Sequence, residues 1–170
     1  MPERPDFTTE EGRLAAIRYL NERLPTKRVI AQGRLRNEDD DILLCELTYK
    51  REWDLPGGVV DPHESPATCV EREIHEELGL DVRAGRLLAV NWLPPWRGWD
   101  DAVLFLFDLG RISSAALDPS RFLAREIAGA HWCPMAELEG HVAPYTATLL
   151  AATAEVTETI YVENSAPRDV

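Results

Sequence analysis

The sequence predicts a mixed α/β sandwich, on three observations. Several runs have the length and composition of strands, a few have helical periodicity, and the two kinds do not alternate strictly along the chain. Its 170 residues and 45% apolar content suit one domain with one sizeable core rather than two comfortable ones.

The elements follow in order. "TTEEGRLAAIRYLNERLP" reads as a helix, with Thr8 and Glu11 at capping-box spacing. Leu14, Ile17, Leu20 and Leu24 form its apolar stripe, and Pro25 stops it. "KRVIAQGRLR" and "DILLCELTY" read as strands joined by the polar turn "NEDDD", which lacks the glycine and distal glutamate of an EF-hand loop. "EWDLPGGVV" leads through a Pro-Gly-Gly turn to a second helix, capped by Ser65, opened by Pro66 and stopped by Gly79. Strands follow in "LDVRAGRLLAVNWL" and "AVLFLFDL", separated by the aromatic loop "PPWRGWDD". A less regular stretch from Gly110 to Arg125 leads to a short strand at "AGAHWCP" and a last helix over roughly Pro144 to Thr157. The division expected is an N-terminal helical extension over 1–26, a main domain over 27–160 and a frayed tail over 161–170.

The formal net charge of −12 repels nucleic-acid backbones and anionic lipid, so neither is an expected partner. An anionic small molecule stays admissible where a bound cation inverts the local field. The longest apolar run, Asp101 to Gly110, is strand-sized rather than membrane-spanning. The charged N-terminus has no apolar segment of a secretory signal. The cysteines, Cys45, Cys69 and Cys133, are odd in number and widely spaced, which points to reduced thiols and a cytoplasmic setting.

The second helix carries the chemical signal. At 100° per residue, Ala67, Val70, Ile74 and Leu78 share one side, to be buried on the sheet. Glu73, Glu76 and Glu77 form an acidic edge beside that side, while Glu71 and His75 point the other way, towards solvent. Like charges at i, i+4 destabilise a helix by roughly 0.2–0.5 kcal/mol per pair. Carboxylates in its C-terminal half oppose the dipole by roughly another 0.3–1 kcal/mol each. A solvated charged face would have to accept both penalties. A divalent cation removes both, and Mg²⁺ favours carboxylate oxygens while keeping positions open for substrate phosphates.

The spacing extends beyond the helix. Glu64 lies six residues after Gly58, Arg72-Glu73 follow, and then come Ile74, Glu76, Glu77, Gly79 and Leu80. This stretch resembles the signature of the Nudix (MutT-like) hydrolases, Gly-x5-Glu-x7-Arg-Glu-U-x-Glu-Glu-x-Gly-U with U a bulky aliphatic, at every defined position. The leading "DLPGG" and the trailing "AHWCPMAEL" are also similar to the family, so the resemblance covers Lys27 to about Leu138.

The resemblance implies a Nudix-type α/β/α sandwich with a mixed sheet and a catalytic loop-helix-loop. It implies an Mg²⁺- or Mn²⁺-dependent pyrophosphohydrolase acting on a diphosphate linked to another moiety, usually a nucleoside diphosphate derivative. By matching position, Glu73, Glu76 and Glu77 would be metal ligands, with the Gly58 carbonyl a fourth. Glu64 and Arg72 would pair and orient the helix. The proton-accepting carboxylate varies within the family, so Glu77, Glu73 and the downstream Glu126 all stay open, with Asp100 and Asp101 behind them. Trp92, Trp96 and Trp99 offer flat faces for a nucleobase, or pack the loop. Cys69 is read as packing rather than a nucleophile, and the four histidines show no ligand spacing. Pro95, fifteen residues beyond Leu80, leans the substrate towards ADP-ribose or nucleotide sugars, with nucleoside triphosphates as the alternative and a non-catalytic nucleotide sensor behind both. Many relatives dimerise, which makes a homodimer through the N-terminal helix a further expectation.

Overall fold

Eight strands in one mixed sheet, with a helix on either face, make up most of the computed structural model. It describes residues 7–167; positions 1–6 of the expected extension and 168–170 of the expected tail lie outside them. The elements are α1 (Glu10–Asn21), β1 (Arg28–Arg36), β2 (Ile42–Leu47), β3 (Gly57–Val59), α2 (Pro66–Leu78), β4 (Leu87–Leu93), β5 (Ala102–Arg111), β6 (Ile127–Cys133), α3 (Pro144–Thr153), β7 (Ile160–Glu163) and β8 (Ala166–Pro167). Strand order is β6-β2-β1-β5-β4-β7-β8, with β3 also paired to β1. The β1–β5 and β4–β7 pairs are parallel and the remaining pairs antiparallel. This is the layered α/β/α arrangement expected.

Each sheet face has its own core, because successive side chains of a strand point to opposite faces. On one face Val70, Ile74 and Leu78 of α2 pack with Ala31, Leu35, Leu43 and Leu109. On the other, Leu149 and Leu150 of α3 pack with Leu44, Leu88, Leu104 and Leu106. Those three α2 residues are fully buried, worth roughly 1.5–3 kcal/mol each, which fixes the helix against β1 and β3.

Two expectations need correction, and the apolar stripe of α1 proves to face solvent. Thr9, not Thr8, caps α1, accepting from the Gly12 amide at 3.1 Å. The α1 stripe is not buried: Leu14, Ile17, Leu20 and Leu24 are 48–57% exposed, and only Ala16 of the helix is buried. The physical reason is that α2 and α3 already close both cores, leaving the stripe no apolar surface to meet. The expected frayed tail instead adds β7 beside β4 and then β8, held by the buried Asn91–Ser165 hydrogen bonds at 2.9 Å. The chain resumes a strand there because α3 ends at Thr153, earlier than expected.

Candidate active site

The loop before α2 is shaped by glycine. Gly57 has φ +135°, a conformation that residues with a Cβ resist, and an added Cβ would collide with the Ala31 carbonyl on β1. Gly58 pairs with Ala31, and a Cβ there would lie 2.6 Å from the Glu73 carboxyl. Bare backbone thus leaves the cradle that Glu73 fills. The helix begins as expected, with Ser65 accepting from the Thr68 amide at 3.2 Å and Pro66 in the first turn. It ends at Gly79, whose φ of +66° forms the left-handed cap.

The three glutamates are graded by burial rather than forming one even edge. Glu77 is 5% exposed, the Glu73 side chain 17% and the Glu76 side chain 53%. Burial, then the charges of Glu73 and Glu126, push the Glu77 carboxyl up to about 8, against a partly offsetting hydrogen bond from the Gly57 backbone. Burial also raises Glu73, and Arg72 opposes that. Arg72 donates to both Glu64 oxygens at 2.8 and 3.0 Å, while its Nη1 lies 3.0 Å from Glu73 and 3.2 Å from Glu76. The Arg72 hydrogen bonds hold Glu64 down at about 2. Glu71 departs from expectation: it turns back to accept from the Ala84 amide at 2.8 Å and from Arg83 at 3.0 Å. His75 is exposed and meets Asp81. Cys69 is fully buried and its thiol is pushed up to about 12, chiefly by burial, which fits packing rather than a nucleophile.

Glu126 lies across from this edge, at the start of β6. Its charge acts on both Glu73 and Glu77, and Arg125 Nε holds it at 2.9 Å. The strand β6 brings it there, with Thr48 of the β2–β3 loop donating its amide to the Glu126 carbonyl at 2.9 Å. Asp100 and Asp101 belong elsewhere. Asp101 pairs with Lys27 and accepts from Trp92 Nε1 at 3.0 Å. Trp96 and Trp99 close a tight hairpin around Arg97 and Gly98, and Arg28 lies 4.5 Å over the Trp99 ring. Arg28 is three residues before Ala31 on β1, so this hairpin is roughly 10 Å along the strand from the Gly58 pairing.

The β2–β3 loop supplies residues that the sequence reading passed over. Asp54, paired to Cys45 of β2, acts on Glu77 and accepts from Gln32 Nε2 at 3.1 Å and Lys50 Nζ at 2.7 Å. Burial, then the charges of Glu77, Glu126 and Asp54, raise the Tyr49 phenol, although most of the residue is exposed. Asp54 stood inside the matched "DLPGG", but no spacing rule marks its side chain. Trp53 beside it is stacked between His131 at 4.1 Å and His141 at 4.3 Å.

The donor set suits a hard divalent cation: carboxylate oxygens of Glu73, Glu76 and Glu77, with the bare Gly58 backbone against Glu73. A buried Glu77 facing two like charges is the arrangement such a cation relieves. Among the described residues no three His, Cys, Asp or Glu side chains gather closely enough to enclose an ion, and Arg72 is the cation that meets Glu73 and Glu76.

Comparison with known proteins bears on the family and the fold. A profile of the NUDIX domain matches residues 26–153. Diphosphoinositol polyphosphate phosphohydrolase 2 of Rattus norvegicus is 39% identical over 57 residues, 34% of this chain and 32% of that protein. The match therefore spans about a third of that curated relative's length. A MutT NUDIX hydrolase from Burkholderia pseudomallei superposes with a TM-score of 0.63 at 25% identity, over 78% of this chain and 100% of its own. A UDP-X diphosphatase superposes with a TM-score of 0.67 at 22% identity, over 91% of this chain and 75% of its own, a likeness of fold. With the profile covering three quarters of its length and every position of the signature filled, the chain belongs to the NUDIX domain family.

Proposed function

We propose that this chain is a divalent-cation-dependent hydrolase that cleaves the diphosphate bond of a nucleoside diphosphate linked to another moiety. The observation that carries the reading is Glu77, buried to 5% exposure and facing Glu73 and Glu126, next to a glycine cradle. A bound Mg²⁺ or Mn²⁺ supplies neutralisation of the diphosphate charge and acidifies the attacking water. Glu73, Glu76, Glu77 and the Gly58 carbonyl hold it, and Glu64 with Arg72 keeps the helix and loop in register. Glu126, less buried and on the opposite wall, takes the water's proton. Trp92 beside Asp101, and the exposed Trp96 and Trp99, serve the nucleoside end. Residues 27–160 form the catalytic unit, with 1–26 an appendage whose exposed stripe suits a homodimer contact. Free, buried cysteines suit a cytoplasmic setting.

Pro95 and the fold likeness to a UDP-X diphosphatase support ADP-ribose or nucleotide sugars as the substrate class. The MutT likeness supports nucleoside triphosphates as the second reading. Product release would be measured on a panel of ADP-ribose, nucleotide sugars, nucleoside triphosphates and a diphosphoinositol polyphosphate, each with Mg²⁺, with Mn²⁺ and with chelator. Metal-dependent cleavage of a nucleotide sugar or ADP-ribose is the expected result. Tight nucleotide binding without cleavage of any of them would replace the enzyme with a sensor.

A further inference from the structure

We propose that Lys50 is the side chain that grips a phosphate of the substrate, and that Asp54 and Tyr145 position it. The inference rests on the hydrolase reading above for its ligand class, a diphosphate, but not on the identity of the attached group.

The argument begins from charge. The site wall carries Glu73, Glu76, Glu77 and Glu126, and Asp54 is tied to it through Gln32, which pairs with Gly57 and donates to Asp54 at 3.1 Å. A diphosphate brought here needs cationic contacts beyond the metal, and the two arginines paired to the site glutamates are committed. Arg72 is shared among Glu64, Glu73 and Glu76. Arg125 is paired to Glu126. Lys50 stands in the β2–β3 loop, whose far end delivers Gly57 and Gly58. Its ammonium lies 2.7 Å from Asp54 Oδ2 and 3.4 Å from the Tyr145 hydroxyl, with the Tyr145 ring 5.8 Å away.

An ammonium has three donors. Two are used by Asp54 and Tyr145, and 26% of the Lys50 side chain is exposed, which leaves one donor for a ligand. Asp54 is itself fixed, by Gln32 Nε2 and by the Leu55 amide at 2.9 Å. The long lysine stem is therefore held in one place before any ligand arrives, which removes much of the entropy of ordering it on binding. As a structural tie alone, a partly exposed lysine–aspartate pair is weak. Tyr145 also gives α3, beyond the signature, a part in the site.

The test uses inorganic pyrophosphate as probe, with the full chain and Mn²⁺, by titration calorimetry. Lys50→Met should weaken pyrophosphate binding about 10-fold or more, the worth of one charge-assisted hydrogen bond. Lys50→Arg should restore it to within about 3-fold. Affinity for Mn²⁺ alone and the melting temperature should stay at wild-type values in both variants. Lys50→Gln, uncharged and able to keep a hydrogen bond to Asp54, provides the same comparison should Lys50→Met not fold. Unchanged pyrophosphate affinity in the neutral variants, or no binding by the wild type, overturns the proposal. So does a parallel loss of Mn²⁺ affinity and melting temperature, which would make Lys50 a structural tie. Loss of pyrophosphate binding without cleavage of any panel nucleotide would sink the hydrolase reading and leave Lys50 standing. Nucleotide cleavage with an unaltered KM in Lys50→Met would do the reverse.

Discussion

Replacing Glu77 by glutamine tests the buried carboxylate directly, through stability as well as turnover. Glu77 is 5% exposed and ionises near pH 8 in the fold instead of near 4.5. Between those two values the folded chain holds a proton that the unfolded chain has released. Stability therefore falls as pH rises through that window, and the loss is complete above the folded value. Relative to low pH the fold loses about 1 kcal/mol at pH 5 and about 5 kcal/mol at pH 9, a change of about 4 kcal/mol across the range. Glutamine keeps the shape and an acceptor for the Gly57 amide but carries no charge at either pH.

The readout is the melting temperature of Glu77→Gln minus that of wild type, in chelator, from pH 5 to pH 9. At about 2–4 °C per kcal/mol for a chain of this size, the difference should grow in the variant's favour by on the order of 10 °C. Taking the difference cancels the titrating groups that do not touch Glu77, and following it across pH removes the constant offset of the amide. Added Mg²⁺ should return most of the lost stability to wild type at pH 9 and little to the variant, while the variant's turnover falls about 10²-fold or more. A difference that stays flat from pH 5 to pH 9 would refute the buried, like-charged placement of Glu77. A variant with wild-type turnover would refute its role as a ligand.

Other substitutions separate the remaining roles. Glu126→Gln should lower kcat by about 10²-fold or more, the usual worth of a positioned base, while the Mg²⁺ concentration for half-activity stays unchanged. A shifted Mg²⁺ midpoint would make Glu126 a ligand instead. Gly58→Ala places a methyl 2.6 Å from the Glu73 carboxyl and should destabilise by about 1–3 kcal/mol in denaturant melts, with activity lost alongside. Ile17→Ser should change stability by less than about 0.5 kcal/mol at micromolar concentration, because Ile17 is 51% exposed on α1.

The second helix was legible because several independent rules agreed on it. Ser65, Pro66 and Gly79 marked its ends, and Val70, Ile74 and Leu78 marked its buried side. The same periodicity recurs in α1, where Leu14, Ile17, Leu20 and Leu24 have a core helix's spacing but remain exposed. Period reports that a helix has an apolar face, not that the fold has a place for it. The grading of Glu73, Glu76 and Glu77 was also hidden, since a helical wheel gives direction but not the depth of the opposing wall. That wall includes Asp54 and Glu126, distant in sequence and gathered by the β2–β6 pairing and the β2–β3 loop. Glu71 turned inward for a similar reason: its partner, the Ala84 amide, belongs to a loop whose course no local rule specifies.

The clustered glutamates raise an energetic question that Arg72 answers. Glu73 and Glu77, four residues apart in the C-terminal half of α2, repel each other and oppose the helix dipole. Arg72 Nη1 lies against Glu73 and Glu76 and compensates both, yet it leaves Glu77 facing Glu73 and Glu126. Compensation therefore stops at the most buried carboxylate, where a lone charge is most unfavourable. The other side of the same guanidinium, Nε and Nη2, is held by both oxygens of Glu64. Because those two bonds do not involve Glu73 or Glu76, the carboxylates are able to turn to an ion while Arg72 stays in place. Lysine, a single point charge, cannot divide its contacts in this way, which gives a physical reason for arginine at this position.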